Sequence, residues 1–330
     1  MDPIDERSIS SLHRAMSIVK GYDAVLLLAF GGPGGPEEVR PFLERVLSGR
    51  AAPPERIEEV ARHYEAVGGR SPLPDITFLQ AHALGEMIMQ LRLNLLVYVG
   101  FRHSSPYILE TLAKMKADGI ERAIGFILSS HRTEASWERY QQNVEDARAG
   151  LGVAPAVDYC PGWHDHPLFI ETWVDQVEDE LEKMAPARRS RALLIFTAHS
   201  VPRMMAERSP YVAELEESCR LVAESLGHER WTLAYQSRSG DPREPWLEPD
   251  VSQTIRAAAR TGATDVVVAP IGFVSNHVEV LYDLDIEAKK TAEDHGIQFF
   301  RANTPNDHPL FIRMIADVVE KQSLTAGDRS

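Results

Sequence analysis

The sequence from Thr264 to Lys290, TDVVVAPIGFVSNHVEVLYDLDIEAKK, contains the two patterns from which the rest of the chain is built. Its first part, Asp265 to Val274, is almost entirely apolar and rich in β-branched residues. Such a run is typical of a strand that is buried on both faces of a parallel sheet. Its second part, from Ser275 onward, is polar and carries carboxylates at helical spacing. A buried strand followed by a polar helix predicts a βα unit.

The carboxylates of this stretch follow a helical period. Glu279, Asp283 and Glu287 are four residues apart, so they line one side of a helix, and His277 stands just before them. Like charges at this spacing destabilise an isolated helix by roughly a few tenths of a kcal/mol per pair. Such a stripe is either the solvated helix face of an acidic protein or a path for metal ions or protons that leads to a site at the end of the strand.

Composition and charge narrow the class of protein. The chain has 330 residues, which suggests two domains, and its 44% hydrophobic and 25% charged residues are ordinary for a globular enzyme. The formal net charge of −14 comes with no basic patch, so no nucleic-acid partner is expected. No run approaches the roughly 18 apolar residues of a membrane span, so no transmembrane segment is expected.

The two cysteines, Cys160 and Cys219, bear on the cellular compartment and on cofactors. So few thiols favour a reducing compartment over a disulfide framework, and we expect a cytoplasmic protein. An iron–sulfur cluster held by cysteines of one chain needs about four thiolates, so none is expected. Residues 1–20 are polar, lack the apolar segment of a secretory signal and are predicted to form a flexible N-terminal extension.

Apolar runs alternate with helical segments along the whole chain. Each run is followed by a turn and then by a stretch of helical periodicity. This alternation predicts right-handed βαβ units and parallel sheets. The predicted strands are Tyr22–Phe30, Asn94–Gly100, Arg122–Ser130, Val153–Tyr159, Arg191–Phe196, Trp231–Gln236, Asp265–Val274 and Ile297–Arg301.

The order of motifs repeats in the two halves. LLLAFGGP at 26–33 has its counterpart in LLIFTAHSVP at 193–202, and IGFILSSH at 124–131 has its counterpart in IGFVSNH at 271–277. The sequence therefore predicts an α/β protein with two similar Rossmann-like domains, each doubly wound around a parallel sheet. The predicted boundaries are the extension 1–20, an N-terminal domain 21–165, a C-terminal domain with the metal site 166–305, and a C-terminal helix and tail 306–330.

Polar residues stand where several predicted strands end. His199 follows the strand RALLIF, and His277 and Glu279 follow the strand of the opening stretch. Because ligands of such sheets lie beyond the carboxyl ends of the strands, we expect these side chains to converge on the cleft between the domains. Imidazole with carboxylate suits a first-row divalent ion such as iron, and both groups accept protons. A role as turn residues is the alternative for His199 and for His131.

Three segments of the C-terminal half resemble the signature segments of ferrochelatases: FTAHSVP at 196–202, YQSRSGDPREPWLEPDV at 235–251 and PIGFVSNHVEVLYDLDIE at 270–287. AFGGPGGPEEVRPFL near the start and RHYEAVGGRSPL at 62–73 extend the likeness, which covers about Tyr22 to Lys321. The resemblance implies a chelatase-like fold with a porphyrin cleft between two Rossmann-like domains. It also implies a lyase of heme biosynthesis that inserts Fe²⁺ into a porphyrin and releases two protons.

The resemblance also implies roles for individual residues. The resemblance implies that His199 and Glu279 are the iron-site pair. We expect this pair to be catalytic, with both side chains ligating Fe²⁺ and accepting protons, and we expect His277, Asp283 and Glu287 to relay protons or metal ions. The substrates are then a porphyrin and ferrous iron, with no cofactor beyond that iron. The residues implied to bind the porphyrin are Phe30, His63, Tyr64, Ser71, Arg132, Ser200 and Trp246.

The identity of the porphyrin depends on finer features of the resemblance. PREPWLEPDV is similar to the loop of coproporphyrin ferrochelatases, so coproporphyrin III is favoured and protoporphyrin IX is the alternative. Three positions depart from the family: Phe30 stands where many coproporphyrin enzymes have tyrosine, Asn276 where aspartate is common, and Leu47 where arginine is common. Phenylalanine offers no oxygen to iron, so an axial ligand has to come from elsewhere.

Two other functions compete with this one. A chelatase of the same fold for another tetrapyrrole or metal is the first, but such enzymes are usually shorter and lack the PWLEPD loop. A non-catalytic heme or iron carrier that kept the cleft is the second. The presence of His199 and Glu279 disfavours a carrier, because a carrier needs no proton acceptor. Transfer of the product to the next enzyme of heme synthesis is a further expectation.

Overall fold

The computed structural model describes residues 21–47, 54–239 and 243–325. The predicted extension, residues 1–20, and the end of the predicted tail, residues 326–330, lie outside the described residues. Of the helices within the described ranges, none combines the length and the apolar character that a membrane crossing requires.

Within these ranges, eight strands form two four-stranded sheets, and every strand pairing is parallel. The first sheet has the order β2-β1-β3-β4 and the second has the order β6-β5-β7-β8, which is the same arrangement used twice. The predicted fold class, two similar doubly wound domains, is confirmed. The strands are β1 Ala24–Ala29, β2 Leu96–Phe101, β3 Arg122–Ile127, β4 Ala156–Tyr159, β5 Leu193–His199, β6 Trp231–Gln236, β7 Asp265–Ala269 and β8 Gln298–Arg301.

Helices connect the successive strands. Their bounds are Pro36–Leu47, Pro54–Ala66, Leu73–Gln90, Ile108–Ala117, Arg139–Leu151, Pro167–Glu182, Pro186–Arg189, Arg203–Glu207, Tyr211–Ser225, Val251–Arg260, Val278–Tyr282, Lys289–Asp294 and Pro309–Thr325. Two π-helical turns, Glu134–Glu138 and Asp283–Ala288, lead directly into the helices that follow them. The short helices Pro186–Arg189 and Arg203–Glu207 lie where the sequence predicts no helix.

Strand β7 is fully buried but ends at Ala269, so the predicted extension to Val274 was wrong. Pro270 has no N–H with which to continue the ladder of hydrogen bonds. Two residues later the N–H of Gly272 donates to the carbonyl of Thr197 on β5, at 3.0 Å. The apolar residues after β7 therefore form a buried loop that is held against the neighbouring strand.

The last described helix, Pro309–Thr325, packs against the first domain. It contacts helix Leu73–Gln90 and strand β3, and its Phe311 ring meets Trp163 edge-on with 5.9 Å between centroids. Trp163 in turn stacks on Phe126 of β3. One apolar cluster consequently contains side chains from both sheets.

Two helices of the first domain, Pro36–Leu47 and Pro54–Ala66, pack against each other and against helix Val278–Tyr282 of the second domain. The buried side chains of this contact are Val39, Phe42, Leu43, Ala61, Tyr64 and Val278. The contact joins the two domains at the helix that follows β7, which is the helix that carries Glu279.

Substitution of Gly272 tests whether the loop after β7 must lie against β5. A Cβ atom on Gly272 would stand 2.6 Å from the Cβ and 2.8 Å from the Cα of Ala198, next to His199. Gly272→Ala is therefore expected to lower the free energy of unfolding by about 1–3 kcal/mol, as overpacking of a core does. Thermal unfolding of the variant beside wild type measures this change.

Gly150→Ala is the matched control. Gly150 lies in helix Arg139–Leu151, and apart from its chain neighbours and the backbone of its own helix nothing lies within 4 Å of the position that its Cβ would take. Alanine is the better helix former, so the free energy of unfolding of this variant is expected to rise by up to about 1 kcal/mol. Equal stability of Gly272→Ala and wild type would show that the loop can move away from β5 without cost.

Candidate active site

The candidate site lies at the carboxyl edge of the second sheet. The chain runs from β5 to β6 on one side and then crosses to β7 on the other side, so the strand order changes direction between β5 and β7. Doubly wound sheets bind their ligands at such a point. His199 is the last residue of β5, and Glu279 lies in the first turn of the helix after β7.

Three residues predicted from the sequence meet at this point. The Nε2 atom of His199 lies 3.5 Å from Oε1 of Glu279, and the Nε2 atom of His277 lies 3.5 Å from Oε2 of the same carboxylate. The side chains of His199 and Glu279 are 31% and 34% exposed, so the pair is accessible from the cleft while the backbone beneath it is packed. One carboxylate thus lies between two imidazoles.

Hydrogen bonds fix the orientation of His199. Its Nδ1 atom lies at 2.5 Å from the carbonyl oxygen of Ser200, which can only accept, so Nδ1 carries a proton and Nε2 is directed to Glu279. The Tyr211 hydroxyl donates to the His199 carbonyl at 2.9 Å. Strand pairing places Gln236 of β6 directly opposite His199. The imidazole therefore presents one nitrogen to the site.

Charge at the pair is set by the competition between burial and attraction. Burial disfavours the imidazolium of His199, but the Glu279 carboxylate and the Ser200 carbonyl raise the pKa of His199 to about 9. Burial likewise disfavours the Glu279 carboxylate, but His199 and His277 hold the pKa of that carboxyl well below its usual range. Before any metal enters, the two side chains form an imidazolium–carboxylate ion pair.

Asp283 and Glu287 continue from Glu279 along the same helical segment. Burial and the charge of Glu279 raise the pKa of Asp283 to about 7, although a hydrogen bond from Ser237 opposes that shift. Burial, with the charges of Asp250 and Glu59, also raises the pKa of Glu287. Asp283 can therefore exist in both protonation states near neutral pH, as a group that passes protons must.

The π turn Asp283–Ala288 affects how these acids line up. In a regular α-helix, residues four apart drift around the axis by about 40°, because each residue turns the chain by about 100°. A π turn uses more than four residues per revolution, so it turns this drift back. The acids at 279, 283 and 287 are thereby kept nearer to one line than a regular helix would hold them.

His63 and Tyr64 reach the site from the first domain. The His63 ring stacks on Tyr282 with 3.7 Å between centroids and 9° between planes. Tyr64 is buried, and its pKa is raised by that burial and by the charge of Glu279. Helix Pro54–Ala66 therefore lies along the acid-bearing helix.

Phe30 lies at the end of β1, the counterpart of β5 in the first sheet. Phe30 is 37% exposed, and its ring packs against the rings of Phe42 and His103, with 4.5 Å between the centroids of Phe30 and His103. The guanidinium of Arg102 lies 5.9 Å from the Phe30 ring. An exposed aromatic face bordered by basic side chains suits a flat ligand with acidic substituents.

The remaining predicted porphyrin contacts have partners within the protein. The Arg132 guanidinium binds Glu214 through Nε at 2.7 Å and Nη2 at 2.5 Å, and its exposed part is 38% of the side chain. The Ser200 hydroxyl donates to the Leu247 carbonyl at 2.9 Å. The hydrogen bonds of these two side chains are therefore made to other parts of the protein rather than to His199.

Ser71 and Trp246 are buried. The Ser71 hydroxyl accepts from the Leu73 N–H, and its own N–H donates to the Pro33 carbonyl, so it supports the glycine-rich turn after β1. Trp246 forms a bridge with Pro202 that closes the loop after β5. The structure therefore gives both residues a part in loop packing.

His131 lies at the end of the equivalent strand of the first sheet but takes part in no such cluster. Its ring is buried between the hydroxyls of Ser130 and Ser218, at 2.8 and 3.0 Å. Burial and the neighbouring His164 lower the pKa of His131 to about 3. His131 is therefore a neutral histidine of the protein core, a role that the sequence analysis did not assign to it.

Sequence reasoning assigned no role to Tyr211, Gln236 or Ser237. Gln236 and Ser237 stand at the end of β6, inside the segment YQSR, so their position beside a strand end was a usable signal. Tyr211 opens a helix and had no such signal. Among the described residues, no group of three or more His, Cys, Asp or Glu side chains is arranged to hold a metal ion.

The ion pair predicts a specific response of His199 to Glu279→Gln. Without the carboxylate, burial is no longer offset, so the pKa of His199 should fall from about 9 to its ordinary value near 6.5 or below. NMR titration of the histidine ring resonances of the metal-free protein measures this. Glu217→Gln, which removes a carboxylate 3.2 Å from His164, is the control and should leave His199 unchanged. A His199 that still titrates near 9 in Glu279→Gln contradicts the assignment.

Comparison with known proteins identifies the family. The profile of the ferrochelatase family matches residues 22–323. The coproporphyrin III ferrochelatase of Mycolicibacterium smegmatis is 41% identical over 304 residues, which cover 91% of this chain and 89% of that protein. The coproporphyrin III ferrochelatase of Mycolicibacterium paratuberculosis is 43% identical over 91% of this chain and 88% of that protein. The ferrochelatase of Rhodopirellula baltica is 41% identical, with 93% and 88% covered.

Solved structures agree at the level of the fold. The sirohydrochlorin chelatase SirB of Bacillus subtilis subspecies spizizenii, in complex with cobalt, has a TM-score of 0.57 at 9% identity and covers 94% of this chain and 98% of its own. A multi-domain protein of Deinococcus radiodurans with structural similarity to chelatases has a TM-score of 0.53 at 14% identity, with 90% and 55% covered. The architecture is that of the chelatases, and the family profile with the curated relatives shows that this chain belongs to the ferrochelatase family.

Proposed function

We propose that this ferrochelatase inserts Fe²⁺ into coproporphyrin III at His199 and Glu279 and releases two protons. Insertion of ferrous iron into a porphyrin, in heme biosynthesis, is the activity of the family to which the chain belongs. The observation that carries the assignment of the site is the contact of 3.5 Å between the two side chains at the switch point of the second sheet. It supplies one nitrogen and one carboxylate, which are ligands for iron and acceptors for protons.

Iron and protons compete for the same atoms. At rest His199 is protonated, so its Nε2 is not free to bind a metal ion. An incoming Fe²⁺ beside Glu279 repels the imidazolium, because like charges disfavour the charged form, and the Nε2 proton of His199 leaves through the acids beyond Glu279. The two N–H protons of the porphyrin must also leave, and the same pair is placed to accept them.

We propose that protons leave the site through the acids that follow Glu279 in the sequence. A proton on Glu279 can pass to Asp283, whose pKa of about 7 lets it accept and release protons near neutral pH, and then to Glu287 at the half-buried end. His277, which contacts the other oxygen of Glu279, is proposed to take part in the same relay.

Coproporphyrin III is favoured on two grounds. Two of the relatives described above are named coproporphyrin III ferrochelatases, whereas the relative from Rhodopirellula baltica is named only ferrochelatase. Basic side chains also border Phe30: Arg102 lies over its ring, and Arg45 binds the carbonyl of the adjacent His103. Coproporphyrin III has four propionates and protoporphyrin IX has two, so basic side chains at the edge of the site should strengthen the binding of coproporphyrin III more.

The remaining expectations belong to the same proposal. Cys160 and Cys219 are both buried, and burial raises the pKa of both thiols, which supports a protein without a cysteine-bound cluster. A cytoplasmic location and transfer of the product to the next enzyme of heme synthesis are proposed with it. A carrier function is disfavoured because a carrier would gain nothing from a proton relay.

Iron insertion by wild type and by His199→Ala tests this proposal with both porphyrins. Under anaerobic conditions, wild type should turn over coproporphyrin III faster than protoporphyrin IX, as followed by the absorbance of the product. His199→Ala should lower kcat by about 10³-fold or more, since it removes both a ligand and a proton acceptor. His82→Ala, at an exposed histidine paired only with Glu86, is the control and should keep full activity.

The outcomes separate the competing functions. Normal turnover by His199→Ala would contradict the assignment of the iron site to this residue. Faster turnover of protoporphyrin IX than of coproporphyrin III by wild type would contradict the proposed substrate. Binding of porphyrin without acceleration of iron insertion in the wild type would favour the carrier.

Removal of the relay group is expected to have a smaller effect. Asp283→Ala should lower kcat by about tenfold, less than loss of a direct acid–base group, because water can take over part of the proton transfer. Asp294→Ala, at an exposed acid paired with Lys290, should leave kcat unchanged. Wild-type kcat in Asp283→Ala at all pH values from 6 to 9 would exclude a relay through this residue.

A further inference from the structure

The two residues at the end of β6 contact the acid-bearing helix at two levels. Gln236 is buried, and its side-chain amide donates to the carbonyl of Glu279 at 2.8 Å. The next residue, Ser237, donates its hydroxyl to the carboxylate of Asp283. One dipeptide therefore binds both the backbone of Glu279 and the side chain of the acid one turn further along.

The backbone of Ser237 is unusual. Its φ is 62°, in the left-handed region that residues with a Cβ rarely adopt. Among the described residues, the other non-glycine residues with positive φ are Arg92 and Asn306. Glycine would occupy this conformation without strain, but glycine has no hydroxyl. Backbone strain of this kind persists where the surrounding structure and a functional contact hold the residue in place.

Asp283 is a residue whose side chain needs to be held. It is the first residue of the π turn, at the junction where the α-helical hydrogen-bond pattern ends. Proton transfer requires donor and acceptor within hydrogen-bond reach, about 2.6–3.2 Å, or connected by one water. A carboxylate that can rotate between staggered positions spends only part of its time in such a geometry.

We propose that Ser237 is a positioning residue for iron insertion, which holds the Asp283 carboxylate in the orientation that receives a proton from Glu279. Gln236 assists by fixing the backbone of Glu279. The proton donor, Glu279, and the proton acceptor, Asp283, are then both held by residues at the end of β6. Ser237 itself touches neither iron nor porphyrin in this assignment. The proposal rests on the function proposed above, in particular on the relay through Asp283.

A double-mutant cycle with Ser237→Gly and Asp283→Ala tests it. Ser237→Gly removes the hydroxyl and also relieves the strain, so the variant should fold at least as stably as wild type. It should lower kcat by about tenfold, the order expected for loss of one hydrogen bond to a charged group, while KM for porphyrin and for iron stays within about twofold. In the Asp283→Ala background, Ser237→Gly should cause no further loss, because the group that it positions is gone.

Arg92→Gly is the matched control for strain. Arg92 also has a positive φ, of 58°, at the end of helix Leu73–Gln90, so its replacement relieves similar strain at a position that the proposal gives no role. It should leave kcat unchanged. Thermal unfolding of all variants shows whether a loss of kcat accompanies a loss of stability.

Three results would overturn the positioning role, and a fourth would overturn the proposed function. Wild-type kcat in Ser237→Gly, with kcat reduced in Asp283→Ala, would contradict the role of Ser237 while the relay stands. Additive losses in the double variant would show that Ser237 acts independently of Asp283. Wild-type kcat in Asp283→Ala would overturn the relay and the positioning role together, and absence of iron insertion by wild type would overturn the proposed function itself.

Discussion

The contact between His199 and Glu279 depends on two strands that lie side by side but are far apart in the sequence. β5 ends at His199, whereas the chain after β7 must turn at Pro270, pack on β5 through Gly272 and then start a helix before it presents Glu279. An error of one residue in this loop would move the carboxylate out of reach of the imidazole. The tight packing of Gly272 on Ala198 is therefore a condition for the chemistry as well as for the core.

The two domains share a strand order but contribute different parts of the candidate site. In the second sheet the strand-end histidine is paired with a carboxylate and faces the cleft, whereas in the first sheet the equivalent His131 is sealed between two serine hydroxyls. The first domain contributes surfaces instead: Phe30 with its basic neighbours, and a helix whose His63 stacks on Tyr282. The second domain thus supplies the candidate reaction centre, and the first domain supplies a wall of the cleft. The two domains share one architecture, which agrees with the rule that function belongs to sites rather than to folds.

Sequence patterns were informative where burial dictates residue type. All eight strands follow from apolar runs, and the pair His199 and Glu279 follows from the rule that strand ends converge. The end of β7 was missed because a buried loop such as Ile271–Val274 is as apolar as a strand. The π turn was missed because its residues keep a helical pattern. The partners of Arg132 and Ser200, which are Glu214 and the Leu247 carbonyl, depend on contacts across the domains and between loops, which no local pattern reports.

The position of the last helix has a consequence for how the chain acquires its structure. Phe311 and its neighbours complete the apolar cluster of the first domain through Trp163 and Phe126, although more than half of the chain separates them from β3 in sequence. The first domain therefore lacks part of its interior until the helix Pro309–Thr325 has been synthesised. In the nascent chain the apolar surface that this helix covers stays exposed until then. The two halves consequently become stable together, in contrast to the usual order in which N-terminal domains fold first.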